Sequence, residues 1–318
     1  MRIKLYLAFT IHVKFYSMGG KKVSKIVVEN LSYKYRKTKA LSNINFEVTD
    51  GLIGVLGANG AGKSTLMKLL TTLLKVKDGD ISIDGTSYKK GIDKIRGNLG
   101  YLPQNFMVYE SLTGRELLDI LATIKTDYNK EEKNTHIEDI IRDFDMQDYI
   151  DKKIKEYSGG MKQKLGFAQA IIGDPKIIIM DEPTVGLDPE QRNIIRDLFP
   201  AMSSGRIVFV TTHIVEDIEN YCNYLLVLNK GSLIFKGSKD NFINEVKGYL
   251  WEGVLPINDV IVLKKQAKLI SSIPSGDNIK VRYISKEDLK YNATAIDISL
   301  QDAYIIHCTL YDEALKNA

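Results

Sequence analysis

The alternation of apolar and polar residues along this chain indicates several buried strands. Residues 26–28 and 44–48 alternate, as strands with one buried face do. Continuous apolar runs are typical of parallel strands covered on both faces, and they occur at 52–56, 177–180, 207–210 and 225–228. Helical spacing of apolar residues separates these runs. We therefore predict an α/β fold with a parallel-rich sheet at its centre.

A helical insert interrupts the predicted strands. From Leu112 to about Tyr149 the spacing is helical, first with an apolar face and then, over 127–143, with mostly charged residues. The insert extends over about 105–175. It is therefore expected to form a helical subdomain within a main domain at 26–237.

The pattern changes again after residue 237. Strands are expected at 249–255 and 279–284, with a turn at 274–277 before the second. The last apolar residues, from Leu300 onward, have the spacing of an amphipathic helix. We predict a small α+β accessory domain at 238–318.

The most specific motif is a glycine-rich loop between the 52–56 strand and a helix. Its pattern, G-x-x-x-x-G-K-S, lets successive backbone N–H groups and a helix N-terminus surround a phosphate. Lysine at this spacing can reach the outer phosphates, and the following serine can ligate Mg²⁺. A plain strand–turn–helix is the alternative, but the flanking pattern favours binding of a nucleoside triphosphate, with ATP implied by the resemblance given below, at Gly57, Ala58, Asn59, Gly60, Ala61, Gly62, Lys63, Ser64 and Thr65.

Two carboxylates end the apolar run at 177–180. Asp181 is expected at the sheet edge beside the phosphate loop, where it can hold Mg²⁺ directly or through water. Glu182 would lie one residue further towards the γ-phosphate and act as the base for the attacking water. A strand that simply ends in solvated acids is the alternative interpretation.

A second candidate for anion binding precedes the strand with the carboxylates. Ser158, Gly159 and Gly160, followed by Met161, lie just ahead of a predicted helix and could present backbone N–H groups and a hydroxyl to a phosphate. One triphosphate does not need two such sites on one chain. A second copy of the chain could supply this one, although a flexible turn is the alternative.

These motifs, in this order, resemble the ATP-binding cassette family, the nucleotide-binding subunits of ABC transporters. The resemblance covers about residues 26–237. It implies a P-loop NTPase core with a helical subdomain and an antiparallel β subdomain. It is carried by GANGAGKS at 57–64, Gln104 in YLPQ, YSGGM at 157–161, IIIMDE at 177–182, VGLDP at 185–189 and His213 in TTH.

The resemblance implies further roles. Tyr35 would stack on adenine, with Tyr33 as its rival for that place. Gln104 would contact Mg²⁺ and the attacking water, His213 the γ-phosphate. Asp188 would line the interface of a head-to-tail homodimer. Catalysis would then rest on Glu182, His213, Gln104 and Lys63, and Mg²⁺ on Ser64, Gln104 and Asp181.

Three further features bear on the resemblance to the family. Tyr157 and Met161 replace the Leu and Gln that the family most often has at the first and fifth signature positions, although YSGGM is familiar among exporter-type cassettes. Residues 105–125, including Phe106 to Tyr109, would form a groove for a coupling helix of a membrane permease, and core packing explains them equally well. The accessory domain resembles that of antibiotic and multidrug exporters of the bacitracin-resistance kind.

Composition sets limits on these expectations. The formal charge of +4 suits an anionic ligand or a nearby membrane surface but is too small to argue for nucleic acid. Two cysteines without a C-x-x-C pattern fit a reducing cytosol. There is no apolar stretch of about 18 residues that could span a bilayer. Together with these limits, the resemblance to ABC transporter subunits implies a peripheral subunit on the cytoplasmic face of the membrane.

The first 25 residues form a leader whose short apolar core is interrupted by His12 and Lys14. A signal peptide would send an ATP-binding domain away from its nucleotide, so a disordered or mis-started leader is expected instead, with Met18 a plausible start.

Two other functions compete with transport. One is a cassette ATPase acting on nucleic acid or the ribosome, and the other is a regulatory subunit that binds ATP without hydrolysing it.

Overall fold

A computed structural model describes residues 24–317. The predicted leader lies outside the described residues except for Ser24 and Lys25, and so does Met18. Ser24 and Lys25 both bind Asp84, at 3.3 Å and 2.9 Å, which fixes the start of the first strand against a turn of the neighbouring one.

The first sheet is antiparallel and has the strand order β2–β1–β4–β5. Ile26 pairs with Val48 on one side and with Ile83 on the other, and all three residues are buried. This sheet is the antiparallel β subdomain that the sequence predicts. Its strands are β1 (Ile26–Tyr35), β2 (Thr38–Val48), β4 (Asp78–Ile83) and β5 (Thr86–Ser87).

The central sheet has the strand order β10–β9–β3–β8–β7–β6, and its strands are parallel except β10. Every residue of β7 and β8 is buried. The apolar runs therefore form the middle of a sheet covered on both faces, as predicted. The strands are β3 (Gly51–Leu56), β6 (Leu99–Leu102), β7 (Ile177–Asp181), β8 (Ile207–Thr212), β9 (Tyr224–Asn229) and β10 (Ser232–Ser238).

The helical insert consists of separate helices rather than one long helical region between Leu112 and Tyr149. The chain is extended at Thr126 and starts a new helix at Asn129, whose side chain accepts hydrogen bonds from the N–H groups of Glu131 and Glu132. The helices of the main domain are α1 (Lys63–Leu70), α2 (Ile92–Arg96), α3 (Gly114–Lys125), α4 (Lys130–Asp143), α5 (Gly159–Ile171) and α6 (Pro189–Ser203).

The accessory region contains a third sheet, antiparallel, with the order β12–β13–β11–β14. Its predicted strands, its turn around Gly276 and its final helix are confirmed. The structure also has a helix and a strand between residues 257 and 275 that the sequence pattern did not predict. The elements are α7 (Lys239–Asn244), β11 (Leu250–Pro256), α8 (Ile257–Gln266), β12 (Lys268–Ser275), β13 (Asn278–Ile284), β14 (Thr294–Ala295) and α9 (Leu300–Asn317).

Apolar packing continues across the predicted boundary at residue 237. The largest cluster of buried residues joins Phe235 and Phe242 to Leu300 and Ile306 of α9. A smaller cluster, with Leu263 and other residues, lies between α8 and the third sheet. The boundary itself stays a prediction.

Candidate functional site

The phosphate loop, residues 57–65, connects β3 to α1 at the carboxyl end of the central sheet. Gly62 has φ +106° and precedes α1 without a side-chain cap, so the first N–H groups of the helix have no capping side chain to satisfy them. A Cβ on Gly62 would stand 2.8 Å from the carbonyl oxygen of Ala40, which explains why only glycine fits. The loop therefore offers backbone donors to an anion.

Lys63 is buried inside this loop. Its Nζ donates to the carbonyl oxygen of Gly57 at 2.7 Å and to that of Ala58 at 3.4 Å. The same atom lies 3.4 Å from Oε1 of Glu182, and both side chains are less than a tenth exposed. The Lys63 ammonium thus connects the phosphate loop to the Glu182 carboxylate.

Asp181 lies at the end of β7, against the start of α1. Ser64 Oγ donates to Asp181 Oδ1 at 3.3 Å, and Thr211 Oγ1 donates to the same oxygen at 2.6 Å. Hydroxyl and carboxylate oxygens are the ligands that Mg²⁺ prefers, so Ser64 and Asp181 fit the predicted metal role. The Asp181 charge also contributes, after burial, to raising the pKa of Tyr101 to about 12.

Three side chains surround the carboxylate of Glu182. Besides Lys63, Gln104 Nε2 donates to Oε2 at 3.0 Å, and His213 Nδ1 lies 3.3 Å from Oε1. Glu182 has φ +51°, a left-handed conformation that is uncommon outside glycine and asparagine and that clusters at functional sites. Its N–H is fixed by the Thr211 hydroxyl at 2.8 Å. The structure thus brings together Lys63, Gln104, Glu182 and His213, and their catalytic roles stay a prediction.

The signature segment, residues 157–161, is built differently. Ser158 caps α5, and its Oγ accepts a hydrogen bond from the N–H of Met161 at 3.3 Å. Met161 Sδ takes the returning hydrogen bond from the Ser158 N–H at 3.4 Å. Among the described residues, no side-chain hydrogen bond or ion pair joins this segment to the Lys63–Glu182 cluster.

Tyr157 anchors the signature segment in the core. Its hydroxyl donates to the carbonyl oxygens of Tyr149 and Ile150, 3.0 Å and 3.2 Å away, and its ring packs edge-on against Tyr149. The replacement of the usual leucine by tyrosine therefore adds polar contacts to an apolar position.

The two candidates for adenine stacking differ in exposure. Tyr35, the last residue of β1, is 42% exposed. Tyr33 packs against a cluster of buried apolar residues that includes Leu31 and Leu41. This difference agrees with the preference for Tyr35, whose role stays a prediction. Asp188 caps α6 by accepting a hydrogen bond from the Gln191 N–H at 2.9 Å. Its predicted place at a dimer interface is likewise untested.

Two residues that the sequence did not reveal as part of the site, Thr211 and Asp217, support it through hydrogen bonds. Thr211 binds both Asp181 and the Glu182 backbone, and the TTH motif that marked His213 already contained it. Asp217, fully buried, accepts hydrogen bonds from Thr184 and Arg196 and lies 3.3 Å from the hydroxyl of Thr212. It thereby joins the segment after Glu182 to the segment after His213, a long-range pairing without a local sequence signal.

Comparison with known proteins agrees with this geometry. The family model "ABC transporter" matches residues 41–185. The chain is 31% identical over 295 residues to the uncharacterized ABC transporter ATP-binding protein YhcH of Bacillus subtilis (strain 168), a match covering 87% of this chain and 94% of YhcH. It is 35% identical over 212 residues to the bacitracin transport ATP-binding protein BcrA of Enterococcus faecalis, covering 66% of this chain and 68% of BcrA.

A solved structure shares the fold. The dimeric structure of a post-hydrolysis state of the ATP-binding cassette MJ0796 bound to ADP and Pi matches with a TM-score of 0.59 and 23% identity. The match covers 67% of this chain and 98% of that one.

Proposed function

We propose that this chain powers export of a drug, antibiotic peptide or similar compound through a separate membrane permease. The premise is that the chain belongs to the ABC transporter family, as an ATP-hydrolysing subunit. The observation that carries the proposal is the buried Glu182 carboxylate, which Lys63, Gln104 and His213 surround. The likeness to BcrA, a bacitracin transport ATP-binding protein, supports an antibiotic as the transported compound.

Each residue of the cluster has a defined task in this proposal. Glu182 accepts a proton from the attacking water, which Gln104 contacts, and His213 contacts the γ-phosphate. Lys63 and the N–H groups of the phosphate loop neutralise the phosphates. Ser64, Asp181 and Gln104 hold Mg²⁺, which when bound neutralises charge on the β- and γ-phosphates. Tyr35 stacks on the adenine.

The second half of the site comes from another copy of the chain. Residues 158–161 offer N–H groups and the Ser158 hydroxyl but make no hydrogen bond to their own phosphate loop. In a head-to-tail dimer they face the nucleotide of the partner, with Asp188 at the interface. The dimeric state named for MJ0796 supports this arrangement.

The membrane subunit has a candidate docking surface. Within residues 24–317, no helix combines the length and the apolar composition that a membrane crossing requires. Met107 and Tyr109 are 87% and 80% exposed, whereas Phe106 and Val108 pack against the core. We infer that the two exposed side chains contact a permease helix at the cytoplasmic face of the membrane.

Glu182→Gln tests the catalytic part. The neutral amide cannot act as a base, so the variant should bind ATP, dimerise and release phosphate at least a hundredfold more slowly than wild type. Glu131→Gln, an exposed change on α4, is the control. Wild-type-like phosphate release from Glu182→Gln would remove the assigned base, and an ATP-loaded variant that stays monomeric would contradict the shared site.

A second experiment tests the partner. The subunit is purified from detergent-solubilised membranes and its companions are identified. A permease among them supports transport. We expect no nucleic-acid partner. Retrieval of ribosomes or DNA without a membrane protein would instead favour the competing function on nucleic acid or the ribosome.

A further inference from the structure

Asp217 is a fully buried carboxylate that the proposed mechanism does not use. It lies in the short turn of 3₁₀-helix that follows His213. Its Oδ1 accepts a hydrogen bond from Arg196 Nε at 3.0 Å and another from Nη2 of the same guanidinium. Its Oδ2 accepts from the hydroxyl of Thr184 and lies 3.3 Å from the hydroxyl of Thr212. Both carboxylate oxygens therefore have partners, and each oxygen faces a different part of the chain.

The hydroxyl partners of Asp217 flank the two side chains at the centre of the site. Thr212 directly precedes His213, and its Oγ1 also accepts a hydrogen bond from the N–H of the residue after His213 at 2.9 Å. Thr184 is the second residue after Glu182. Both threonines are buried. Asp217 thus connects the backbone on both sides of His213 to the segment that leaves Glu182.

This connection lies where the strand ladder has ended. β7 and β8 pair as far as Asp181 and Thr211, and the Glu182 N–H donates to the Thr211 carbonyl oxygen at 3.2 Å. Glu182 and His213 lie just beyond, with His213 Nδ1 3.3 Å from Glu182 Oε1. The ladder therefore stops before these two side chains meet, and Asp217 bridges the two loops behind them.

Stability alone is a weak explanation for a charge at this place. Burying an ion pair costs desolvation free energy that the attraction often fails to recover, and apolar replacements of such pairs are often neutral or stabilising. The side chains of Asp217 and Arg196 are 1% and 16% exposed, so this cost applies to their pair. An ionised carboxylate can, however, accept several directional hydrogen bonds at once. An apolar side chain could not hold two loops to one fixed point in this way.

We propose that Asp217 is a positioning residue for ATP hydrolysis, which holds His213 at a fixed distance from Glu182. It acts through its contacts with Thr184 and Thr212 rather than by touching the nucleotide. The inference rests on the proposed function, in which Glu182 is the base and His213 contacts the γ-phosphate. Because nucleotide binding is assigned to the phosphate loop, loss of this support should slow hydrolysis more than it weakens binding.

Asp217→Asn removes the charge and one acceptor at nearly constant shape. Hydrogen bonds to a charged group are stronger than neutral ones, and loss of one corresponds to at least about a tenfold change in equilibrium. We expect kcat for MgATP hydrolysis to fall about tenfold or more, with KM and MgATP binding within twofold of wild type. Asp197→Asn is the matched control, because Asp197 is an exposed carboxylate on α6 that accepts from the Tyr221 hydroxyl at 3.0 Å. Its kcat should not change.

The two threonines offer milder variants with the same expected direction. Thr184→Val and Thr212→Val each remove one hydroxyl and keep the branched shape, while the other threonine still contacts Asp217. Each should lower kcat by about fivefold, the change in equilibrium for one lost hydrogen bond. Thr184→Val should have little further effect in the Asp217→Asn background. If Asp217→Asn does not fold, wild-type kcat in both threonine variants overturns the proposal.

NMR of protein with labelled histidines follows the position of His213 directly. The ring resonance of His213, identified by its loss in His213→Ala, should shift in Asp217→Asn and in Thr212→Val but not in Asp197→Asn. The resonance of His136 should keep its position in all three. A merely structural role of Asp217 would instead lower the unfolding temperature and leave kcat and the His213 resonance at their wild-type values.

Two results would overturn the proposal. Wild-type kcat and an unmoved His213 resonance in folded Asp217→Asn would show that the carboxylate does not position the site. A raised KM with unchanged kcat would show that it serves nucleotide binding instead. Glu182→Gln separates this inference from the proposed function. If Glu182→Gln hydrolyses ATP like wild type, the assigned base is wrong, whereas slow hydrolysis by Glu182→Gln together with a wild-type Asp217→Asn refutes only the role of Asp217.

Discussion

Gly114 and Tyr157 form a pair in which each residue limits the other. A Cβ added to Gly114 would stand 2.4 Å from the Tyr157 hydroxyl and 2.7 Å from a methyl group of Ile150. The Tyr157 hydroxyl is held by the carbonyl oxygens of Tyr149 and Ile150. We predict that Gly114→Ala destabilises the protein mainly by displacing this hydroxyl.

The expected magnitude follows from these contacts. Moving the hydroxyl weakens one or two neutral hydrogen bonds, at about 1 kcal/mol each, and overpacking adds about 1 kcal/mol. Gly114→Ala should therefore lower the free energy of unfolding by about 2–3 kcal/mol. Tyr157→Phe alone should cost about 1–2 kcal/mol, since it leaves buried groups without a partner.

In the Tyr157→Phe background the closest obstacle is absent. The Ile150 methyl group at 2.7 Å and the Ile150 carbonyl oxygen at 3.3 Å remain near the new Cβ, and the closer of the two is a side-chain end that can move. Gly114→Ala should then cost less than about 1 kcal/mol. The two substitutions are thus expected to show a coupling energy of about 2 kcal/mol, far beyond the 0.3–0.5 kcal/mol within which independent sites add.

Urea unfolding of wild type, both single variants and the double variant measures this coupling. Gly97→Ala is the control, because its backbone has φ −60° and a Cβ there would meet nothing closer than 3.8 Å. Its free energy of unfolding should change little. Additive effects of Gly114→Ala and Tyr157→Phe, or a neutral Gly114→Ala, would refute the packing argument.

Three further results are expected. Thr211→Val removes the hydroxyl that binds Asp181 and the Glu182 N–H, so phosphate release should slow about tenfold or more without loss of fold by circular dichroism. Burial lowers the pKa of His136, so below about pH 6.5 the unfolded chain binds the proton first. Stability in urea should therefore fall from pH 7 to pH 5.5, and less so in His136→Gln. Lys63→Ala should abolish MgATP binding in calorimetry, and retained binding would contradict the proposed site.

The sequence predicts the central sheet well because the physical signal is local. The run at 177–180 is buried on both faces, and the carboxylates that follow it lie where a parallel strand must end, next to the loop before α1. The glycine at 62 is required by its own backbone angle and by the neighbouring Ala40 carbonyl. Such features depend on short segments, so residue type and spacing are sufficient to find them.

The remainder depends on contacts between distant segments. α8 carries Ile257 and Ile261 exposed and Leu263 buried, so its apolar residues do not mark a single face from which the helix could be predicted. The break at Thr126–Asn129 rests on a capping arrangement inside a charged stretch. The pairing of Asp217 with Thr184 and Arg196 joins distant segments, and no local pattern in the sequence marks it.

The contacts of Lys63 link nucleotide binding to the state of Glu182, the proposed base. Its ammonium contacts two loop carbonyls and the Glu182 carboxylate, so the buried charges compensate each other. On the proposed function, phosphate oxygens replace these partners, and the ammonium moves away from Glu182. The carboxylate then keeps only Gln104 and His213, and the oxygen that Lys63 has left can accept a water proton. The Lys63 charge that compensates Glu182 in this structure would thereby pair with the phosphates at the moment when Glu182 is needed as a base.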